Sequence, residues 1–253
     1  IEQGYNIIFG TTFGYIDAMA EMAEEYPDVI FLHCSGYLNN DTNFANYFGK
    51  MYQPRYLSGL AAGAMTDSNK IGYVAAFPIP EVIRGINAFA AGVNEVNPDA
   101  TVEVVWTFTW FGPEAETQAA NALLEKGADV LAQHQDSTAT GLAAEAGGAK
   151  WISYNTAYGK DSAPEAFVTA PVWDWGPYYV DIVGSILDGT FTTESYWGGM
   201  ETGLVSLYEL SSDVPSETAT LIANKTEAII DGTLEVEIVE EEFISNVIGT
   251  VNP

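Results

Sequence analysis

The chain has 253 residues, 47% of them apolar, and its 35 acidic residues against 8 Lys and Arg give a net charge of -27. So acidic a surface repels nucleic acid and anionic membranes, which are therefore excluded as partners. No apolar run reaches the roughly 18 residues that a membrane-spanning helix needs, so a soluble protein with a solvated acidic coat is expected.

Apolar periodicity and Gly and Pro stops predict strands and helices that alternate along the chain. The predicted elements are strand 5–13, helix 17–27, strand 28–36, helix 52–66, strand 70–78, helix 80–98, strand 102–110, helix 113–127, strand 129–137, helix 140–148, strand 150–156, a strand within 163–175, helix 176–191, strand 203–210 and helix 216–233. Residues 235–243 fit either an edge strand or a charged, solvated extension, and the extension is favoured.

The strands are nearly continuous apolar runs, which is typical of parallel sheets covered by helices on both faces. About seven β-α units are too many for one small sheet, so an α/β fold of two doubly wound lobes is predicted. In such sheets ligands bind outside the carboxyl ends of the strands. The residues just after each strand are therefore the candidates for a binding site.

Aromatic side chains recur at these strand ends together with one or two hydrogen-bonding residues. The set is Phe13, Tyr15, Asp17, Phe77, Trp110, Asp136, Asn155, Asp174 and Trp175. A pocket for a flat heteroaromatic ring is built in this way, with aromatic faces for stacking and polar groups at the ring edge. Stacking of a base on an aromatic ring contributes roughly 1–3 kcal/mol, which is enough to hold a small ligand.

Each candidate also has a purely structural interpretation. Phe13 and the tryptophans fit a packing role as well as a ligand contact, and Asp17 and Asp136 stand where helix caps are common. Asn155 can bond its own turn, and His134 is interpreted as a core histidine.

Catalytic and cofactor motifs are missing from the sequence. Phosphate-binding, dinucleotide-binding and nucleophile-elbow glycine motifs do not occur. Two histidines and the single Cys34 make a zinc site improbable and exclude an internal disulfide. We therefore expect no enzyme, no metal and no cofactor, although acid–base chemistry by some carboxylate pair is left open.

Three sequence blocks carry a family likeness: "FPIPEV" (77–82), "QHQDSTA" (133–139) and "WGPYY" (175–179). With the stretches around them they resemble the basic membrane protein family, the substrate-binding proteins of ABC importers related to purine-nucleoside-binding lipoproteins, and within it a purine-base-binding subgroup. The resemblance implies a type I periplasmic-binding-protein fold, in which two lobes joined by three crossovers close over a ligand by hinge motion.

On this resemblance, lobe I is expected to comprise residues 1–68 and 173–210, and lobe II residues 69–172. Residues 211–253 are then a C-terminal helix and acidic tail packing on lobe I. The crossovers are expected near 66–70, 168–173 and 207–212. Family members begin with a further β-α unit that this sequence, which opens at Ile1 without a targeting signal, does not include.

Two differences from the nucleoside-binding relatives bear on the ligand. The relatives carry a lysine that reaches the ribose, where "GMETGL" (199–204) has Glu201, and their acid at the start of the helix predicted at 176–191 corresponds to Gly176. A purine base or similar flat heterocycle is therefore favoured over a nucleoside.

The function expected is that of a monomeric, extracytoplasmic solute-binding protein that delivers its ligand to an ABC permease. A lost lipid anchor would be its sole link to a membrane, in the periplasm or at the cell surface. Phe13 and Trp175 would stack on the ligand, Trp110 would seal the cleft, and the polar candidates would bond the ring edge. The alternatives are another ligand on the same fold, such as a nucleoside, flavin or sugar, and an α/β enzyme acting on nucleosides.

Overall fold

The computed structural model describes residues 1–155, 157–241, 243 and 248–251. Contacts divide the chain into two compact units, Ile1–Lys50 with Asp174–Leu204, and Met51–Trp173 with Val205–Pro253. The chain thus passes from one unit to the other after Lys50, after Trp173 and after Leu204.

Strands and helices alternate along much of the chain. The strands are β1 Ile7–Gly10, β2 Ile30–Cys34, β3 Phe44–Gly49, β4 Lys70–Ala75, β5 Thr101–Trp106, β6 Val130–Gln133, β7 Lys150–Ile152, β8 Phe167–Thr169, β9 Pro171–Trp173, β10 Tyr196–Gly198, β11 Val205–Leu207 and β12 Ile248–Val251. The helices are α1 Ile16–Glu25, α2 Tyr52–Met65, α3 Pro80–Val96, α4 Pro113–Glu125, α5 Ala139–Ala146, α6 Gly159–Ser162, α7 Gly176–Leu187 and α8 Ser216–Ile230, with short 3-10 turns at Phe13–Tyr15 and Met200–Thr202.

The first unit is built on a parallel sheet whose described strands follow the order β1-β2-β3-β10. Helix α1 covers this sheet, and Met19 and Ala23 on its inner face pack against Phe31 and Phe44 of the strands. Met19 and Ala23 stand four residues apart, which is the spacing from which the sequence pattern predicted this helix.

The second unit contains a parallel sheet with the order β12-β5-β4-β6-β7-β8, and an antiparallel pair of β9 and β11. Both faces of the central strand β4 are covered. A side chain at Gly72 would meet Leu123 of α4, whereas the ring of Tyr73, the next residue, contacts Phe89 of α3. Burial on both sides explains why β4 and β6 read as continuous apolar runs.

Helices α2 and α3 approach each other closely enough that glycine is required at the contact. A Cβ atom on Gly59 would lie 2.0 Å from the backbone oxygen of Phe89, and one on Gly92 would lie 2.1 Å from that of Tyr56. Real Cβ atoms do not approach backbone atoms so closely, so the two helices pack backbone against backbone.

Contacts group helix α2 with α3 in the second unit, and α8, which packs on α2, falls in the same unit. By this grouping the first passage between units is at Lys50, where the resemblance places a crossover near 66–70, and the third is after Leu204, where it places one near 207–212. The lobe boundaries expected from the resemblance stay a prediction.

Some elements were also predicted wrongly or missed. Strands β3 and β10 were missed, and the single strand predicted within 163–175 is divided at Ala170 into β8 and β9, which join different sheets. The described part of 235–243 contains no strand, in agreement with the charged extension.

Candidate functional site

A chain of side-chain hydrogen bonds links three strand ends of the second unit. The amide nitrogen of Asn155 donates to Oδ1 of Asp136, and the indole Nε1 of Trp173 donates to Oδ1 of Asn155 at 2.9 Å. The backbone supports this arrangement, because the N–H of Asp136 donates to the carbonyl of Trp110 and that of Asn155 to the carbonyl of Pro171, both at 3.0 Å. The amide of Asn155 therefore orients Asp136.

Asp136 is unusually easy to protonate. Although the residue is exposed overall, protein atoms around its carboxyl group desolvate it, and this desolvation is the main effect that raises its pKa. The nearby charge of Glu116 also raises the pKa, the bond from Asn155 opposes both effects, and the resulting pKa is about 6. Within the described part of the chain, no donor reaches the second carboxylate oxygen, Oδ2 of Asp136. This oxygen is a ready hydrogen-bond acceptor.

Glu116 is fully buried at the start of α4 and explains the geometry of the neighbouring loops. Its Oε1 accepts the backbone N–H of Gly112 at 2.9 Å, and its Oε2 accepts the hydroxyl of Ser137. A side chain that reaches back to the N-cap residue satisfies a donor that the helix cannot. Glu116 thereby ties the loop after β5 to the loop after β6, next to Asp136.

An aromatic platform lies at the ends of β4 and β5. The ring of Phe77 contacts that of Trp110 at 5.0 Å and that of Phe108 at 6.4 Å between centroids. Phe77 and Trp110 are half-buried and Phe108 is exposed. These rings offer an apolar surface close to the hydrogen-bonded chain, because the backbone carbonyl of Trp110 holds Asp136 in place.

A column of rings and one cation continues from Trp110 into the core. The ring of His134 lies 5.9 Å from Trp110 and 4.9 Å from Tyr154, and the guanidinium of Arg55 lies 3.9 Å from the centre of the Tyr154 ring. The guanidinium of Arg55 also lies 5.6 Å from the centre of the Tyr73 ring. Cation–π contact of this kind stabilises a desolvated arginine.

Arg55 determines the protonation of His134. The guanidinium is fully buried; Nη1 donates to the carbonyl of Gln133 at 2.7 Å and Nη2 lies 3.5 Å from Nδ1 of His134. Since arginine only donates, Nδ1 is the acceptor and the neutral ring carries its proton on Nε2. Burial, with the charges of Arg55 and Arg84, holds the pKa of His134 well below its usual value, so this ring is neutral.

The first unit has its own aromatic cluster, around Trp175. The ring of Trp175 stacks on Tyr179 at 6.1 Å and meets Tyr47 edge-on at 5.5 Å, while Tyr47 stacks on Tyr178 at 4.7 Å. Tyr178 is buried and Tyr179 half-buried, so Tyr178 is the core residue of the pair. Burial raises the pKa of Tyr47 and Tyr178, and both phenols are neutral donors.

A cleft of about 380 Å³ opens beside this cluster. Polar and apolar side chains of α7, of β10 and of the segments next to them line it: Asp174, Pro177, Tyr178, Asp181, Ile182, Ser185, Tyr196, Thr202 and Leu204. Asp174 is exposed, and its Oδ1 accepts the N–H of Gly176 at 3.1 Å, so part of its acceptor capacity serves the start of α7.

The remaining candidates of the first unit are Phe13, Tyr15, Asp17 and Glu201. Phe13 is half-buried and Tyr15 exposed in one 3-10 turn, and Asp17 is exposed in the first turn of α1, whose N-cap is Tyr15. Asp17 is therefore not the helix cap, although its charge suits the helix N-terminus. Glu201 pairs with Lys50 at 2.8 Å; against the effect of partial burial, this lysine lowers the pKa of Glu201.

The structure thus brings together four predicted residues of the second unit: Phe77, Trp110, Asp136 and Asn155. Sequence reasoning missed Arg55, Glu116, Phe108 and Trp173, and assigned His134 to the core, where its 5% exposure places it. The block "QHQDSTA" was the signal that could have directed attention to His134, because it joins this residue to Asp136.

The described residues contain neither a metal-binding cluster nor a membrane-spanning helix. No group of three or more His, Cys, Asp or Glu side chains there is arranged to hold a metal ion. No helix in that part of the chain is both long and apolar enough to cross a bilayer.

Comparison with known proteins places the chain in a family. Residues 1–240 match the Bmp family, described as ABC transporter substrate-binding protein PnrA-like. A Haloferax volcanii protein named as a glucose-binding protein of an ABC transporter, TsgA13, is 45% identical over 91% of this chain, and a purine-binding protein of Brucella abortus is 40% identical over 90%. This chain spans 59% and 64% of the lengths of these two relatives.

Solved structures show the same fold. A solute-binding protein of an ABC transporter system from Conexibacter woesei superposes with a TM-score of 0.72 at 24% identity, covering 94% of this chain and 81% of its own. One from Aeropyrum pernix superposes with a TM-score of 0.82 at 15% identity, covering 95% and 79%. The predicted type I periplasmic-binding-protein fold is confirmed, as is the predicted family: the chain belongs to the Bmp family of PnrA-like ABC transporter substrate-binding proteins.

Proposed function

We propose that this chain is the ligand-capturing part of an extracytoplasmic solute-binding protein, and that its ligand for an ABC importer is a purine base or a similar flat heterocycle. The observation that carries the proposal is the oriented carboxylate of Asp136 beside the aromatic platform of Phe77 and Trp110. Family membership supports the transport role.

The chemistry of this surface suits a heterocycle with N–H groups. With a pKa of about 6, Asp136 is mostly ionised at neutral pH, and its Oδ2 accepts a hydrogen bond from a ring N–H or an exocyclic amine. The rings of Phe77 and Trp110 supply apolar faces against which a planar ligand stacks. The neutral His134 packs behind Trp110 and adds no competing charge.

A hexose is the second candidate, because the relative named for glucose binding is 45% identical. Sugars also bind carboxylates and pack on tryptophan. The two candidates differ in how they would use the aromatic platform. A planar heterocycle would stack its own face on the rings of Phe77 and Trp110, whereas a hexose would present its C–H groups to one of these rings.

The accompanying assignments are proposals as well. The protein works without catalysis, cofactor or metal, and hands its ligand to an ABC permease. It acts as a monomer, in the periplasm or as a cell-surface lipoprotein. In the first unit we propose that Phe13, Tyr15, Asp17, Asp174, Trp175 and Glu201 contribute ligand contacts.

Isothermal titration of the full-length protein with adenine, guanine, hypoxanthine, adenosine, riboflavin and glucose tests the proposal. We expect a purine base to bind most tightly and Asp136→Asn to weaken that binding. The exposed Asp99→Asn, in the turn after α3, is the matched control and should bind as the wild type does. Binding of glucose alone, or of none of the purines, would refute the purine assignment.

A further inference from the structure

Phe108 combines two features that are unfavourable in a folded protein. Its φ is 53°, in the left-handed region that side chains other than glycine rarely adopt, and it is 52% exposed. Bulky residues in this region are strained, and an exposed phenyl ring gives up the stabilisation that burial would provide. Neither feature helps the fold.

The surrounding loop holds Phe108 in this conformation. Its backbone N–H donates to the carbonyl of Ala76 at 2.9 Å, and that of Thr107 donates to the carbonyl of Ala75 at 2.8 Å. The hydroxyl of Thr107 bonds the carbonyl of Ala75 at 3.2 Å and accepts the side-chain amide of Gln135 at 2.7 Å. The backbone leading into the strained residue, and its own N–H, are thus fixed by groups at the ends of β4 and β6.

The ring of Phe108 is presented to the aromatic platform. It meets Phe77 edge-on at 6.4 Å with an interplanar angle of 76°, and Phe77 in turn contacts Trp110. Strain that persists because its surroundings enforce it is characteristic of ligand-binding positions. Phe111 in the same loop is also exposed, at 65%, but has no positive φ.

We propose that Phe108 is a specificity residue whose ring packs against a planar heteroaromatic ligand, and that the strained backbone exists to hold it there. The inference rests on the proposed function and narrows it, because a further aromatic ring without hydrogen-bonding groups favours a planar aromatic ligand over a hexose, whose hydroxyls need polar partners. An aromatic ring in the ligand would cover the part of the Phe108 side chain that the edge contact with Phe77 leaves exposed.

Substitution by glycine separates the two roles, because glycine adopts φ near 53° without strain. In full-length Phe108→Gly we expect the Tm to stay the same or rise and the Kd for adenine to increase on the order of ten-fold. Phe108→Leu keeps an apolar side chain but loses the aromatic face, so its Kd should also increase at an unchanged Tm. Phe111→Ala is the matched control and should keep the Kd of the wild type.

The outcomes distinguish this inference from the function on which it rests. If the wild type binds adenine and both Phe108 variants bind it equally well, the specificity role is refuted while the proposed function stands. If Phe108→Gly loses both Tm and affinity, Phe108→Leu decides: wild-type affinity refutes the inference, and weaker binding at the wild-type Tm supports it. A wild type that binds no purine refutes both proposals.

Discussion

Asn155 donates its side-chain amide to the carboxylate of Asp136 while its own backbone stands at φ 68°, in the left-handed region. Asparagine tolerates this region better than most residues, so the chain can place an amide here at little conformational cost. The bond lowers the pKa of Asp136, against burial and the charge of Glu116, which raise it. The ionisation of this carboxyl group is thus set by burial and by two identifiable neighbours.

The stability of the protein should depend on pH through Asp136. Its pKa rises from 3.8 unfolded to about 6 folded, so the folded state holds the proton more tightly. The resulting stabilisation is complete below pH 4 and is lost as the pH rises through 6. In urea denaturation, the free energy of unfolding of Asp136→Asn should therefore equal that of the wild type near pH 4 and exceed it above pH 6. A difference that is the same at every pH would contradict this assignment.

Removing the amide of Asn155 should raise the pKa of Asp136 further. In Asn155→Gly the backbone keeps its positive φ without strain, and we expect the carboxyl titration, followed by NMR, to move above pH 6. Asn155→Ala should show the same titration but unfold more easily, by about 1 kcal/mol, because alanine is strained at φ 68°. Asn69→Gly, at φ 58°, is the control and should leave the titration unchanged.

Neutralising Glu116 should have the opposite effect. Gln keeps the acceptor for the N–H of Gly112 but removes the charge that raises the pKa of Asp136. The titration of Asp136 in Glu116→Gln should therefore shift toward lower pH. If the ligand binds only when Asp136 is ionised, the lowest pH at which the variant binds the ligand should shift downward together with this pKa. An unchanged titration would mean that burial alone sets the pKa.

Arg55 should be among the most costly side chains to remove. Arg55→Met leaves the buried carbonyl of Gln133 without its donor and Tyr154 without its cation, and we expect a loss of about 3 kcal/mol or more in the free energy of unfolding. Lys126→Met breaks the exposed pair with Glu103 and should cost about 1 kcal/mol or less. Chemical denaturation measures the loss in the free energy of unfolding for both variants. Similar losses would contradict the expectation that the buried contacts of Arg55 stabilise the protein more than the exposed ion pair does.

The contact between α2 and α3 predicts a sharp contrast between two glycines. A methyl group at Gly59 would overlap the backbone of Phe89, so Gly59→Ala should destabilise by about 3 kcal/mol or prevent folding. Gly184 lies in α7 with nothing within 4 Å of its added Cβ, so Gly184→Ala should stabilise by up to about 1 kcal/mol. Thermal unfolding distinguishes them, and equal effects would rule out the close packing.

Much of the fold followed from apolar periodicity, and the failures have physical reasons. Strand β3 reads "FANYFG" and has neither a run of β-branched residues nor strict alternation, because successive side chains, which point to opposite faces of the sheet, are nearly all buried. Strand β10 has three residues, too few for any pattern. The association of α2 with α3 depends on tertiary contact between glycines, which a one-dimensional pattern does not contain.

The site was predictable where it follows from strand ends, as for Trp110, Asp136 and Asn155. It was not predictable where side chains arrive from elsewhere along the chain. Arg55 reaches His134 from a helix 79 residues earlier, and Glu116 reaches Ser137 from 21 residues earlier. The strain at Phe108 is a backbone angle and leaves no trace in residue type.

The column that runs from Trp110 through His134 and Tyr154 to Arg55 has a consequence for how this protein can be modified. Each member packs on the next, so changing any one of them alone disturbs its neighbours, and the inner part of the proposed binding surface should resist single substitutions. Residues 107–109 and 111–112, which flank Trp110, lie outside that column, and the N–H groups of Thr107 and Phe108 anchor the loop to the carbonyls of Ala75 and Ala76. New ligand preferences, in evolution or in the laboratory, should therefore arise in this loop while the column beneath stays as it is.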